Sequence, residues 1–163
     1  MANDLWRTPP EVFNYFNKDY NFQCDVAASD DNHLVDWYYT ERTDGLNSIW
    51  RSNLDVGDYV WCNPPYSNPL PWVAKCIWES RYNGIGSVLL LNMDMSTRWA
   101  ELLLSVNCTI ITLTGGRIAF LNEHGKPIKG NNKGQVVYII PPFTNSLKSP
   151  TTEYLKLSKV MKG

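Results

Sequence analysis

Residues 86–91, with the sequence GSVLLL, form the most apolar strand-like segment of the chain and limit the folds open to it. Their apolar side chains are consecutive, so both faces of the strand would be buried, as in the centre of a parallel sheet. Shorter segments of the same kind lie at 22–28, 58–62, 108–113 and 136–140. These five segments predict a sheet with buried central strands.

Helical patterns alternate with the predicted strands. Apolar residues recur at helical spacing in 69–82 and 95–104, and a first helix is predicted to begin at Thr8, with Glu11 completing a capping box. Alternation of strands and helices predicts an α/β fold, doubly wound around a mostly parallel sheet in a single domain. In such sheets ligands bind at the carboxyl ends of the strands, so we expect the functional residues there.

The composition indicates an ordinary globular protein and not a disordered one. The chain has 163 residues, of which 44% are hydrophobic and 19% charged, which is typical of one globular domain. Residues 1–145 are predicted to form this domain, and 146–163 a basic tail that is helical or flexible. The four cysteines form no CxxC pair, so we expect no metal site and a reducing compartment.

Partners and location follow from charge and hydropathy. The sequence shows neither a leader peptide nor a membrane-spanning segment, so we expect a cytoplasmic protein without a membrane partner. We separately expect a monomer or weak dimer. The net charge is −1, so any contact with nucleic acid must be local. Arg117, Lys126, Lys129 and Lys133 lie in or beside a Gly/Asn/Lys loop at 122–134 and are candidate DNA-binding residues.

The most informative motif is the corner Asn63-Pro64-Pro65-Tyr66, directly after the predicted strand 58–62. The Asn63 amide supplies an acceptor oxygen, and Pro65 restricts the backbone of Pro64, which fixes the direction of the Pro64 carbonyl. Two preset acceptors can hold both hydrogens of one amino group and favour its attack on an electrophile. Tyr66 offers a face for a base to stack on, worth about 1–3 kcal/mol. A plain Pro-Pro turn remains the alternative.

This corner resembles the catalytic motif of amino-group methyltransferases that use S-adenosylmethionine, and the wider pattern resembles the phage-type DNA N-6-adenine methyltransferase (Dam-like) family. The matching segments, in chain order, are WRTP at 6–9, FQCDVAAS at 22–29, YY at 38–39, DGL at 44–46 with Trp50, VWCNPPY at 60–66, WV at 72–73 and TRW at 97–99. The resemblance implies a class I (Rossmann-like) methyltransferase that transfers a methyl group to a flipped-out adenine in double-stranded DNA. If the gene belongs to a phage or prophage, the location would be the host cytoplasm.

Residue roles follow from the resemblance. The implied catalytic residues are Asn63, Pro64, Pro65 and Tyr66. The implied cofactor-binding residues are Trp6, Thr8, Pro9, Asp25, Ala27, Ala28, Asp44, Leu46 and Asn63. The family's glycine-rich donor loop is replaced here by Ala27-Ala28-Ser29, and Glu41 is a candidate for binding the ribose.

Alternatives remain open for the substrate and for single residues. The same amine chemistry would suit an adenine in RNA or the side-chain amide of a protein glutamine, and an inactive nucleotide- or DNA-binding module could keep the fold. Thr8 could be an ordinary helix cap, Asp25 could cap a turn, and Asp44 before Gly45 is also common turn chemistry.

Overall fold

A six-stranded mixed sheet runs through the molecule, with helices on both of its faces. The computed structural model describes residues 2–162. The strands are β1 (Cys24–Asp25), β2 (Tyr59–Cys62), β3 (Gly86–Asn92), β4 (Thr109–Thr114), β5 (Gln135–Ile140) and β6 (Thr151–Lys156). The helices are α1 (Pro10–Tyr20), α2 (Leu70–Asn83), α3 (Arg98–Leu104) and α4 (Leu157–Val160), and short 3-10 turns lie at Ala2–Leu5 and Trp50–Ser52.

The sheet order is β1-β2-β3-β5-β4-β6, and β5 alone is antiparallel to its neighbours. The predicted α/β fold with a mostly parallel sheet is therefore confirmed. Six of the seven residues of β3 are buried, as expected of a central strand. Helices α2 and α3 pack on one face of the sheet, and α1 and α4 pack on the other.

Two predicted elements are shorter than expected. Strand β1 covers only Cys24–Asp25 rather than 22–28, because from Asp25 onward the backbone hydrogen-bonds to the 37–39 segment, where Ala28 donates to the Tyr39 carbonyl. Helix α3 begins at Arg98 rather than at residue 95, since Thr97 accepts a hydrogen bond from the Ala100 N–H and so caps the helix. Both differences arise from side-chain and tertiary contacts that apolar spacing does not reveal.

The predicted capping box at Thr8 and Glu11 is wrong. Pro9 occupies the N-cap position of α1, and no side chain caps the helix. Thr8 is 5% exposed, and its hydroxyl accepts a hydrogen bond from Asn63, the residue after β2, instead of capping the helix.

The segment 146–163, expected to be a helical or flexible tail, contributes a strand to the sheet. Strand β6 pairs in parallel with β4 over six residues, and the short helix α4 follows it and buries Val160 against the α1 side of the core. The side chains of β6 are almost all exposed, so the segment lacks the apolar alternation that predicts a strand. In the described part of the chain, no helix has the length and apolar character needed to cross a membrane.

Candidate active site

The carboxyl ends of β1, β2 and β3 meet at one edge of the sheet. Asp25 lies opposite Trp61 in the parallel register of β1 and β2, and Asn63 follows two residues later. Because side chains alternate along a strand, Asp25, Trp61 and Asn63 point to the same face, the one covered by α1. Asn92 ends β3 at the same edge.

Asn63 is held by a hydrogen bond across the fold. Its Nδ2 donates to the Thr8 hydroxyl at 2.9 Å, while its Oδ1 is buried and has no partner in residues 2–162. The bond to Thr8 therefore leaves the acceptor end of the amide available. A buried acceptor without a partner costs about 1–3 kcal/mol, so such an atom in a cavity indicates a ligand that donates to it.

The rest of the corner is rigid and packed. Pro64 is buried, Pro65 is half-buried, and the Tyr66 ring meets Phe120 edge-on with the ring centroids 5.9 Å apart. The Tyr66 hydroxyl is buried without a hydrogen-bond partner in the described chain, and this burial raises its pKa well above the usual value, with a smaller contribution from Cys62. Tyr66 is therefore a neutral aromatic platform and not a general base.

A first cleft opens in front of Asn63, on the α1 side of the sheet. Residues that line it include Trp6, Thr8, Asp25, Ala27, Trp61 and Asn63. Through Ala27 and Asn32 it continues into a wider hollow of about 660 Å³, lined among others by Ala28, Ser29, Thr40 and Glu41. Ala27 lines both hollows, and the short side chains at 27–29 take up little space along their shared wall.

Asp25 is the acidic group of the first cleft. It is 4% exposed, and its carboxylate accepts a hydrogen bond from the Leu34 N–H at 3.0 Å. Burial raises the pKa of Asp25 to about 6, partly offset by backbone hydrogen bonds from Leu34 and Ala27 and by His33. At neutral pH the cleft thus contains a poorly solvated negative charge, which favours a positively charged ligand.

Trp61 adds an unpaired donor to the same cleft. Its ring is fully buried against Phe13 and Phe22, and its Nε1 has no hydrogen-bond partner in residues 2–162. The first cleft therefore offers a carboxylate, an acceptor amide and a donor N–H within one small space. Sequence reasoning missed Trp61, because a tryptophan inside a strand is normally a core residue.

A second cleft lies on the other side of the corner. Tyr66 lines it together with Asn92 at the end of β3, with Asp94 in the turn that follows, and with Lys133 from the 122–134 loop. Asn92 is another residue that sequence reasoning missed, since a polar residue at the end of an apolar strand has no motif. The corner thus separates two clefts that both reach the sheet edge.

The loop at 122–134 is anchored to this edge. The residue directly before it, Leu121, exchanges backbone hydrogen bonds of 2.9 Å each with Arg7 in the N-terminal segment. The Trp6 ring stacks on Phe120 with a centroid distance of 5.7 Å. Arg117, Lys126, Lys129 and Lys133 are all exposed, and of these Lys133 lines the second cleft.

Three predicted cofactor residues lie away from the first cleft. The Asp44 carboxylate accepts hydrogen bonds from the Asn47 backbone N–H and side-chain amide, as in an ordinary turn, and Leu46 lines a separate surface hollow beside Lys75 and Trp78. Pro9 is buried at the start of α1. Within residues 2–162, no three His, Cys, Asp or Glu side chains are grouped so that they could hold a metal ion.

Comparisons with known proteins identify the family of the chain. The family model described as "DNA N-6-adenine-methyltransferase (Dam)" matches residues 1–162. A "DNA N-6-adenine-methyltransferase" of Haemophilus phage HP1 (strain HP1c1) is 38% identical over 151 residues, covering 90% of this chain and 84% of the relative. A protein of the same name from Escherichia phage T1 is 35% identical over 175 aligned positions, covering 98% of this chain and 71% of the relative.

No solved structure matches the chain. The family model spans nearly the whole sequence, and the two phage relatives share more than a third of their aligned residues with it. The chain therefore belongs to the DNA N-6-adenine-methyltransferase (Dam) family.

Proposed function

We propose that the protein transfers a methyl group from S-adenosylmethionine to the N6 amine of an adenine in double-stranded DNA. The observation that carries this proposal is the buried Asn63 Oδ1, which lacks a partner in residues 2–162 and is oriented by the hydrogen bond from Nδ2 to Thr8. The chain's membership of the DNA N-6-adenine-methyltransferase (Dam) family supports DNA as the substrate.

The first cleft suits S-adenosylmethionine. When bound, this cofactor supplies an electrophilic methyl group on a positively charged sulfur and remains as S-adenosylhomocysteine. Asp25 would hold the ammonium group of the methionine end, and Trp61 Nε1 would donate to its carboxylate. The Thr8 hydroxyl accepts from Asn63 and can still donate its own hydrogen to the same carboxylate. Ala27 and Ala28 leave room for the nucleoside to run toward Glu41.

The Asn63-Pro64-Pro65-Tyr66 corner activates the amine. The Asn63 Oδ1 and the Pro64 carbonyl each accept one hydrogen of the adenine amino group, which draws the nitrogen lone pair out of conjugation with the ring. Tyr66 supports the base by stacking. The proton lost from the methylated nitrogen passes to solvent, and neither His33 nor His124 lines the two clefts.

Access to the amine requires the target base to leave the helix. In duplex DNA the N6 amine is engaged in pairing, so the adenine is flipped out at a cost of a few kcal/mol, with its ring on the Tyr66 side of the corner and its amine toward Asn63. Lys126, Lys129 and Lys133 on the anchored loop would contact phosphates near the flipped nucleotide. Helices on both faces of a mostly parallel sheet, with both clefts at the carboxyl edge, support the class I type of methyltransferase.

Product identification tests the proposal. Purified protein is incubated with isotopically labelled S-adenosylmethionine and, separately, with unmethylated duplex DNA, total RNA and a protein extract, and each digest is analysed by mass spectrometry. We expect labelled N6-methyldeoxyadenosine from DNA. Label only in RNA or in glutamine would contradict the DNA assignment, and donor binding without transfer to any fraction would indicate an inactive module.

A further inference from the structure

The second cleft contains an amide whose orientation is set by the core of the protein. Asn92 ends β3 and shares the cleft with Tyr66, on the side of the corner away from Asp25. If the cofactor occupies the first cleft, a base whose amine reaches Asn63 while its ring stacks on Tyr66 lies across the corner, with its ring toward the second cleft. Asn92 would then be beside the ring of that base.

Gln135 determines which end of the Asn92 amide faces the cleft. Gln135 is 1% exposed, and its Nε2 donates to Asn92 Oδ1 at 3.0 Å. Its Oε1 already accepts from the Ile118 N–H at 3.1 Å and from Asn131 Nδ2 at 3.2 Å. Turning the Gln135 amide around would place its NH2 group against these two donors. Asn92 is therefore held with its oxygen toward Gln135.

The other end of the Asn92 amide is open to a ligand. Asn92 Nδ2 makes no hydrogen bond to any residue in 2–162. It is not one of the buried unpaired atoms, so a ligand in the cleft can reach it. It is an oriented N–H donor in a cleft that also holds an aromatic platform. Such a pair fits a flat ring with an acceptor nitrogen on its edge.

We infer that Asn92 Nδ2 donates a hydrogen bond to a ring nitrogen of the target adenine. This inference rests on the proposed function, because it assumes an adenine between Asn92 and the corner. The adenine amine is flanked by two acceptor nitrogens, N1 and N7, so a donor beside the amine-binding acceptors completes recognition of that edge. Asn92 thereby fixes the rotation of the ring while Asn63 and Pro64 hold the amine.

Substrates that lack one ring nitrogen test this hydrogen bond. Duplexes carry adenine, 1-deazaadenine or 7-deazaadenine at the methylated position, and transfer is measured in single turnovers at saturating donor and DNA. For the natural chain, one of the two analogues should react about 10- to 100-fold more slowly than adenine, because it has no nitrogen to accept from Asn92. In Asn92→Ala that analogue should react no more slowly than adenine does.

Comparing the natural chain with Asn92→Ala separates the effect of the hydrogen bond on the rate from the intrinsic reactivity of each analogue. The same loss for that analogue in the natural chain and in Asn92→Ala would overturn the inference, and so would an Asn92→Ala variant that methylates adenine at the natural rate. If the natural chain makes no N6-methyladenine in any duplex, the proposed function itself fails, which is a distinct result.

A second variant guards against loss of folding. Asn92→Asp keeps an oxygen for Gln135 Nε2 and replaces the donor by an acceptor, so it should slow transfer to adenine about 100-fold with unchanged affinity for S-adenosylhomocysteine. Asn14→Asp places the same charge on an exposed residue of α1, outside both clefts and the 122–134 loop, and should leave the rate at saturating DNA within about twofold. Equal losses in both variants would contradict a specific role for Asn92.

Discussion

At the residue scale, the Thr8 hydroxyl connects two segments that are 55 positions apart in the chain. It accepts from Asn63 Nδ2, and this leaves the Asn63 oxygen as the buried acceptor of the first cleft. The same hydrogen bond takes Thr8 away from the role of helix cap. One side chain thus orients the amide on which the proposed amine activation depends.

Replacing Thr8 tests this orientation. Thr8→Val has nearly the same shape but no acceptor, so the Asn63 amide loses its anchor and can rotate. We expect the rate of methyl transfer at saturating donor and DNA to fall about 10- to 100-fold, corresponding to a hydrogen bond worth roughly 1–3 kcal/mol. Thr8→Ser keeps the hydroxyl and should retain most of the rate. Equal rates in the Val variant and the natural chain would remove Thr8 from this role.

The raised pKa of Asp25 predicts a pH-dependent affinity for the donor. Above a pH of about 6 the carboxylate is ionised and can pair with the ammonium group, whereas below it the group is neutral. The dissociation constant for S-adenosylhomocysteine, measured by calorimetry, should therefore rise up to about tenfold per pH unit below 6. Asp25→Asn should bind weakly and lack this step. A natural chain whose affinity is constant from pH 4.5 to 7.5 would contradict the assignment.

The same group predicts a trend in stability. The folded pKa of about 6 lies above the ordinary value of 3.8, so between these values the folded protein holds a proton that the unfolded chain has lost. The free energy of unfolding contributed by Asp25 therefore decreases as pH rises, by about 2 kcal/mol between pH 4.5 and 7.5. Urea unfolding of the natural chain and of Asp25→Asn at both pH values measures the difference. A larger contribution at pH 7.5 would reverse the sign and refute the argument.

At the scale of elements, strand β6 and helix α4 complete the sheet edge and the α1 side of the core. Val160 in α4 is fully buried, whereas most side chains of β6 are exposed. Apolar spacing predicted β2 through β5 with small errors at their ends, because those strands are buried. It failed for β6, whose place depends on backbone pairing with β4 and not on its side chains.

Val160 tests whether this last segment belongs to the cooperative fold. Val160→Ala removes buried methyl groups and should lower the free energy of unfolding by about 2 kcal/mol. Met161→Ala changes an adjacent side chain that is 38% exposed and should have a much smaller effect. Thermal unfolding of both variants gives the comparison. An unfolding midpoint for Val160→Ala equal to that of the natural chain would mean that α4 detaches before the core unfolds.

At the scale of the whole molecule, both clefts and the lysine loop lie at one edge of the sheet, although the net charge is only −1. The motif, its position after a strand and the loop charges were all evident in the sequence. The way these features come together was less evident, because Thr8, Asn92 and Gln135 form hydrogen bonds between segments that are distant in the chain. Asp44 shows the opposite case, in which a matching motif forms turn hydrogen bonds outside both clefts.

The location of the positive charges predicts the salt dependence of DNA binding. Changing Lys126 and Lys129 together to Gln should reduce the slope of log affinity against log salt by about 0.9 for each phosphate that the loop no longer neutralises. A control with Lys18→Gln and Arg81→Gln removes the same charge near the ends of α1 and α2, at the opposite edge of the sheet. Titrations by fluorescence anisotropy distinguish the two variants. Equal changes in slope would contradict binding through the loop.

Activation of the amine depends most directly on Asn63 as its acceptor. The decisive measurement is the single-turnover rate of methyl transfer to duplex DNA by Asn63→Ala, alongside its affinity for S-adenosylhomocysteine. We predict that transfer to adenine is abolished while donor affinity changes only a few-fold, because Asn63 addresses the substrate amine. Substantial transfer by Asn63→Ala, or loss of donor binding that accounts for the whole decrease in rate, would contradict the proposed mechanism.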